Sequence, residues 1–202
     1  MTLRPAWLIA AAGVVGVGAA LILVWVADDG RVDADGIVML GDSITEQGDW
    51  QALLPHRSVV NAGRSGYTTA QLVPVAREVA AAKPAIVFVL TGTNDIRDGH
   101  PPTWTADRLH ELLDAIEAGS PTTTIVVQTI LPRDDRPHDA LATAEAVRAV
   151  AESRGLRVLD LHSPFDDGTG GLRDGETTDG VHLSEAGYMR WAELLRSVLD
   201  ES

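Results

Sequence analysis

Residues 36–45 read GIVMLGDSIT, an apolar run that ends in a glycine, an aspartate and a serine. The run from Gly36 to Leu40 is short, partly β-branched and bounded by glycine, which predicts a buried β-strand. Ser43 then follows the carboxyl end of that strand, the edge at which open α/β sheets bind ligands. A local interpretation competes: Ser43 and Glu46 have the spacing of a capping box, in which the serine only caps a helix.

Strands and helices alternate along the rest of the chain. Further apolar strands are predicted at residues 58–61, 85–90, 123–131 and 158–161. Amphipathic helices are predicted at residues 68–82, 105–118 and 140–154, and Ser184 is predicted to cap a last one. Five strands that alternate with helices imply a parallel sheet covered on both faces. With right-handed crossovers, we expect a flavodoxin-like three-layer α/β/α sandwich with a five-stranded parallel sheet in the order 2-1-3-4-5.

The amino-terminal segment predicts one transmembrane helix before this domain. Residues 6–26 carry no charge, and as a helix they would span roughly 31 Å, about one hydrocarbon core. Arg4 precedes the segment, and Asp28 and Asp29 follow it. The positive-inside rule then places residues 1–5 in the cytoplasm and the chain after the span outside. Residues 27–35 are interpreted as a tether and residues 36–202 as the globular domain.

A cleaved signal peptide is the alternative interpretation of this segment. Cleavage after the small residues that end at Ala20 would leave apolar residues 21–26 at the new terminus. Cleavage after Ala27 would place the bulky Trp25 three residues upstream of the cut. We therefore favour an uncleaved anchor, with a secreted form as the alternative; both interpretations place the domain outside the cytoplasm.

Composition excludes several classes of function. The net charge of −13 argues against a nucleic-acid partner, because phosphate binding needs clustered lysine and arginine. The chain has no cysteine, which rules out disulfides, thiolate nucleophiles and cysteine-based metal sites.

Four segments carry residue types that can perform chemistry: Ser43 in the first, then residues 61–66 (NAGRSG), 91–95 (TGTND) and 179–182 (DGVH). The first three follow strand ends, so a parallel sheet would bring them to one edge. The fourth reaches that edge if the last helix packs beside the first strand. Taken singly, each segment has a structural interpretation as a turn, a cap or a surface loop. The other histidines lack such a context and are interpreted as structural or solvated: His56, His100, His110, His138 and His162.

Together the four segments make a chemical set. A serine hydroxyl is a weak nucleophile that needs an adjacent base, which His182 can supply. Asp179, three residues earlier, can fix the imidazole tautomer and stabilise its charged form. An oxyanion needs donors aimed at it, and the backbone N–H groups of Ser43 and Gly63 and the side-chain amide of Asn94 are candidates.

These segments resemble the four sequence blocks of the SGNH (GDSL-type) esterases and lipases, in order and in spacing. The resemblance runs from about Gly36 to the carboxyl terminus and leaves the predicted membrane span outside it. It implies Ser43 as nucleophile, His182 as base and Asp179 as the orienting acid. It also implies an oxyanion hole of Ser43, Gly63 and Asn94. No further ligand is spaced to close a metal site with Asp179 and His182, so neither a metal nor another cofactor is expected.

The sequence therefore predicts an exported, membrane-anchored serine ester hydrolase with an acyl-Ser43 intermediate. Short loops and the lack of a lid-like insertion favour small or accessible esters, such as O-acetyl groups of envelope carbohydrate. A lipase or thioesterase that acts on longer acyl chains is one alternative. A non-catalytic envelope-binding module on the same fold is another.

Overall fold

A parallel five-stranded sheet forms the centre of the domain in the computed structural model, which describes residues 36–200. The strand order is β2-β1-β3-β4-β5, so the predicted order is confirmed. The strands are β1 (Ile37–Gly41), β2 (Val59–Gly63), β3 (Ile86–Leu90), β4 (Thr124–Gln128) and β5 (Arg157–Leu159).

Helices connect the strands and cover both faces of the sheet. In chain order they are α1 (Ser43–Glu46), α2 (Trp50–Leu53), α3 (Thr69–Ala81), α4 (Thr93–Arg97), α5 (Pro102–Gly119), α6 (Pro137–Ser153), α7 (His162–Phe165) and α8 (Glu185–Leu199). Helices α5 and α6 each begin at a proline, three residues before their predicted starts. Proline suits the first helical position, because its missing N–H would have no partner there in any case. The four short helices were not predicted, since one turn leaves no periodic pattern in the sequence.

The two faces of the sheet bury two hydrophobic clusters. Successive strand residues point to opposite faces. Met39 packs in a cluster with Trp50 of α2 and Trp191 of α8, whereas its neighbour Leu40 packs in a second cluster with Leu112 of α5. This alternation produces the predicted three layers.

The register of the sheet aligns the strand ends that lead into the predicted site. Gly41 pairs with Gly63 on β2 and with Leu90 on β3. The segments that follow these three residues therefore leave the sheet at the same level.

The last helix packs beside the segment that carries Ser43. The indole rings of Trp50 and Trp191 meet edge to face, with centroids 4.7 Å apart. The Tyr188 hydroxyl donates a hydrogen bond of 2.7 Å to the carbonyl of Ile44. These contacts bring the loop that precedes α8 to the carboxyl edge of the sheet, as the sequence argument requires.

Within residues 36–200, none of the helices is long and apolar enough to cross a membrane. The predicted span at residues 6–26, the terminus at 1–5 and the tether at 27–35 lie outside the described residues, and they stay predictions.

Candidate active site

Ser43 is the first residue of α1, and the cap of that helix is the preceding aspartate. The Asp42 carboxylate accepts a hydrogen bond of 3.0 Å from the N–H of Ile44. The interpretation of Ser43 as the cap is therefore wrong, and its hydroxyl is available for another partner. Gly41 permits this abrupt change from strand to helix, because a Cβ there would lie 2.6 Å from the carbonyl oxygen of Leu90.

His182 links Ser43 to Asp179 through both ring nitrogens. Its Nε2 lies 3.0 Å from Ser43 Oγ, and its Nδ1 lies 2.8 Å from Asp179 Oδ2. An ionised carboxylate can only accept a hydrogen bond, so Nδ1 carries the proton and Nε2 is left to accept one from the serine hydroxyl.

Asp179 is held in its ionised form by its own loop. Its Oδ1 accepts hydrogen bonds from the backbone N–H groups of His182 at 2.7 Å and Val181 at 3.0 Å. The bond from His182 is the main reason that the pKa of Asp179 falls to about 2. The carboxylate therefore stays charged at neutral pH.

Asp134 also supports this loop, although it was not predicted as a site residue. Its N–H donates to the carbonyl of Gly180 at 3.1 Å. Gly180 has φ +82°, and a Cβ there would lie 2.7 Å from Asp134 Oδ2. Glycine is thus needed at 180 for the backbone conformation and for this close approach.

Gly63 is not brought to the site as predicted. Its N–H donates to the side-chain oxygen of Asn61 at 3.0 Å, and Gly63 does not line the cavity above Ser43. A Cβ at Gly63 would lie 2.5 Å from the Cα of Glu46. This glycine therefore serves the close packing of α1 on β2 and does not supply a donor to the cavity.

Gly66, three residues further on, takes the place expected of Gly63. It lines the cavity and has φ +78°. Among the described residues its N–H has no hydrogen-bond partner. Both glycines stand in the same sequence segment, and the sequence holds no signal that separates the packing glycine from the one at the cavity.

Asn94 lies at the start of α4 and lines the same cavity. One amide hydrogen goes to the carbonyl of Tyr67, with an N–O distance of 2.9 Å, and the amide oxygen accepts from Arg97 Nη1 at 2.8 Å. An amide nitrogen carries two hydrogens, so one remains for a ligand in the cavity.

The cavity has a volume of about 470 Å³ and joins residues from all four predicted segments. Most of the residues that line it are of polar or charged type: beside Ser43, Asn94, Asp179 and His182 they include Gln47, Ser65, Thr93, Arg97 and Arg133. The surface that these residues turn toward the cavity is nevertheless more apolar than polar. Val181 is the one aliphatic side chain among the described residues that line it. Over residues 36–200, histidines and carboxylates form no group of three or more that could hold a metal ion.

The comparisons with known proteins agree with this geometry. A parallel three-layer sandwich with a Ser–His–Asp series at the carboxyl edge of its sheet is the architecture of a hydrolase. The model of the GDSL-like lipase/acylhydrolase family matches residues 39–190, and the chain belongs to this family. No curated protein matches the chain.

Several solved structures share the fold. A GDSL-like lipase from Bacteroides thetaiotaomicron superposes with a TM-score of 0.75 at 22% identity, over 83% of this chain and 89% of that one. The lipase/acylhydrolase from Enterococcus faecalis superposes with a TM-score of 0.67 at 22% identity, over 81% and 94% of the two chains. At such identities the likeness extends to the fold alone.

Proposed function

We propose that the protein hydrolyses carboxylic esters through an acyl-Ser43 intermediate. The observation that carries the proposal is the hydrogen-bonded series from Asp179 to His182 and from His182 to Ser43, with distances of 2.8 Å and 3.0 Å. Ser43 Oγ attacks the ester carbonyl carbon while His182 Nε2 takes the hydroxyl proton. Asp179 stabilises the imidazolium that forms.

The tetrahedral intermediate then collapses, and His182 returns the proton to the departing alcohol oxygen. Water attacks the acyl-Ser43 carbonyl, with His182 again acting as the base. The acid leaves, and Ser43 recovers its proton. Each half of the cycle moves one proton on and off the same nitrogen, so the histidine ends in its starting state.

Three donors are proposed to stabilise the oxyanion. Ser43 is the first residue of α1, and N–H groups in the first turn of a helix have no partner within it. Asn94 has one amide hydrogen left after its bond to Tyr67. Gly66 replaces the predicted Gly63 as the third donor, because its N–H is unpartnered among the described residues and it lines the cavity.

The shortage of aliphatic side chains among the described residues that line the cavity supports a small or accessible ester as substrate, such as an O-acetyl group of envelope carbohydrate. A long acyl chain would need apolar walls, and Val181 alone supplies an aliphatic wall among the lining residues described. The lipase or thioesterase alternative predicts the opposite preference for chain length.

The test treats the full-length protein in detergent with a serine-directed fluorophosphonate and locates the adduct by peptide mass spectrometry. One adduct at Ser43 is expected, and none in a Ser43→Ala variant. Labelling at another serine would show that Ser43 is not the nucleophile, and no labelling would favour the non-catalytic binding module. A series of aryl esters from acetyl to decanoyl follows: kcat/KM should fall with length, whereas a rise would make the protein a lipase or thioesterase.

We also propose that the domain is exported and held at the membrane by residues 6–26. The uncharged segment and the charges that flank it support this placement. Protease added to intact cells should degrade the domain, and the intact chain should sediment with membranes. Recovery of a soluble form that begins after Ala20 or Ala27 would instead support signal-peptide cleavage and secretion.

A further inference from the structure

Arg97 contacts two of the three proposed oxyanion donors, which come from different segments of the chain. Its Nη1 donates to the side-chain oxygen of Asn94 at 2.8 Å, and its Nη2 donates to the carbonyl oxygen of Gly66 at 3.3 Å. Its Nε donates to Asp98 Oδ1 at 2.7 Å. The guanidinium therefore bridges α4 and the loop after β2 at the wall of the cavity.

We propose that Arg97 is a positioning residue that holds the Asn94 amide and the Gly66 backbone in the orientation needed to receive the oxyanion. The proposal rests on the ester hydrolysis proposed above. It concerns a residue outside the nucleophile, the base, the orienting acid and the donors.

The Asn94 amide is held in one of its two possible orientations. A guanidinium can only donate hydrogen bonds, and the Tyr67 carbonyl can only accept them. Arg97 therefore requires the amide oxygen on its side, and Tyr67 requires the amide nitrogen on the other. A flip of the amide would place two donors together and two acceptors together. Without Arg97, only the unfavourable contact with the Tyr67 carbonyl would oppose the flip. The flipped amide would turn an oxygen lone pair toward the developing oxyanion.

The Gly66 backbone is held in a similar way. Its φ of +78° belongs to the left-handed region, which glycine enters and leaves at little cost. Glycine alone therefore does not keep the backbone in this state. The bond from Arg97 Nη2 to the Gly66 carbonyl ties that backbone to α4, so its N–H keeps a constant direction relative to Asn94.

Arg97 is placed to do this without being part of the core. Its side chain is 49% exposed, and its ion pair is with the adjacent residue, Asp98. Exposed pairs of this kind contribute little to stability. Loss of Arg97 should therefore leave the fold intact and change the chemistry of the site.

The first test compares Arg97→Met with Arg97→Lys on a neutral aryl acetate. Arg97→Met keeps the apolar stem of the side chain but has no donor, so kcat should fall roughly 10- to 100-fold with little change in KM, because misplaced groups cost about this much. Arg97→Lys keeps the charge and one donor nitrogen, so its kcat should fall less than that of Arg97→Met. Arg108→Met is the matched control, since Arg108 makes an ion pair with Glu111 on α5 and does not line the cavity.

The second test measures binding of an alkyl trifluoromethyl ketone, which adds to the serine as a tetrahedral oxyanion. Its inhibition constant should rise in Arg97→Met by about the factor by which kcat/KM falls, because both report stabilisation of the same charge. The cost of Arg97→Met should also be several-fold smaller in an Asn94→Ala background, because residues that act through one another are not additive.

Unchanged kcat in Arg97→Met, or a full and additive loss beside Asn94→Ala, would overturn the positioning role. A rise confined to KM would also overturn it and make Arg97 a substrate-binding residue. These failures differ from failure of the proposed hydrolysis, which would appear as a parent protein that does not turn over the aryl acetate or as turnover that survives Ser43→Ala.

Discussion

Two clusters of one aspartate, one histidine and one serine lie beyond the carboxyl ends of the strands, and they are bonded differently. In the cavity cluster, formed by Ser43, Asp179 and His182, the histidine stands between the other two residues. The histidine side chain is 28% exposed, so a ligand can reach it.

The second cluster, the β5 cluster, is formed by Asp160, His162 and Ser163, and only its histidine is buried. The Ser163 hydroxyl donates to Asp160 Oδ2 at 2.7 Å, without the histidine between them. His162 Nδ1 lies 3.1 Å from the carbonyl of Ile130, and this histidine is 5% exposed. His162 therefore links the segment after β5 to the segment after β4, and it is not bonded to the hydroxyl of Ser163.

Residue types alone therefore do not define a catalytic site. The partner of each imidazole nitrogen does, because a base must present an unprotonated nitrogen to the nucleophile. Substitutions at matched positions of the two clusters test whether only the cavity cluster is catalytic.

The largest expected effect is at the serines. Ser43→Ala should lower kcat for an aryl acetate roughly 10⁵- to 10⁶-fold, because no nucleophile remains. Thermal unfolding should change little, since Asp42 and not Ser43 caps the helix. Ser163→Ala, the matched control, should keep its activity. If Ser43→Ala retains more than a few per cent of turnover, Ser43 is not the nucleophile and the cavity cluster is not the catalytic site.

The aspartates come next. Asp179→Asn should cost roughly 10⁴-fold in kcat, because an amide no longer selects the tautomer with the proton on Nδ1. Asp160→Asn should leave kcat per folded molecule unchanged. The pKa of Asp179 is about 2, so ionisation of this carboxyl should not shape the acid side of the kcat/KM profile. Two ionisations on that side, or equal losses in both variants, would contradict this assignment.

A smaller effect is expected at the amide of the cavity cluster. Asn94→Ala should lower kcat roughly 10²- to 10³-fold with little change in KM, because this donor acts mainly on charge that develops in the transition state. Steady-state kinetics on the aryl acetate measures both constants. An effect on KM alone would make Asn94 a residue that binds the ground state.

The smallest expected effect is on stability. Burial raises the pKa of Asp42, beside the cavity cluster, to about 6. In the β5 cluster, burial acts to raise the pKa of Asp160, but hydrogen bonds from Ser163 and Thr129 and the charge of Arg148 outweigh it, so this pKa is lowered. The folded state thus holds the Asp42 proton more tightly than the unfolded chain, and its stability should fall as pH rises from about 4 to about 6.

Asp42→Asn should remove this fall and stabilise the domain at pH 8 by about 3 kcal/mol, the equivalent of two pKa units. The asparagine oxygen can still accept the N–H of Ile44. Denaturant unfolding at pH 4 and pH 8 measures the difference between the variant and the parent. Asp160→Asn should act in the opposite direction, because the ionised Asp160 is stabilised by its partners. A destabilised Asp42→Asn at pH 8 would show that the Asp42 charge is compensated in the folded state.

The fold could be predicted from the sequence because its signals are local and redundant. The run that ends in Gly41 predicted the first strand, and the alternation of apolar runs with amphipathic helices predicted a parallel sheet. The strand order was expected from a flavodoxin-like fold with right-handed crossovers. Ser184 and Thr68 mark the starts of α8 and α3 as the capping pattern indicated. Ser43, His182 and Asp179 were predicted because a serine hydrolase needs these three residue types, and they stand in two of the four recognisable segments.

The directions of individual N–H groups depend on the tertiary structure. Gly63 and Gly66 are equivalent in sequence, yet one N–H is taken by Asn61 and the other is free among the described residues. Arg97 gave no signal, since an exposed arginine beside an acid is common on any surface. The sequence indicated which residue types meet at the sheet edge, because alternating strands and helices predict a parallel sheet whose strands end at one edge. Only the packed structure decided which hydrogen bonds each group makes, since those depend on distances of a few tenths of an ångström between segments far apart in the chain.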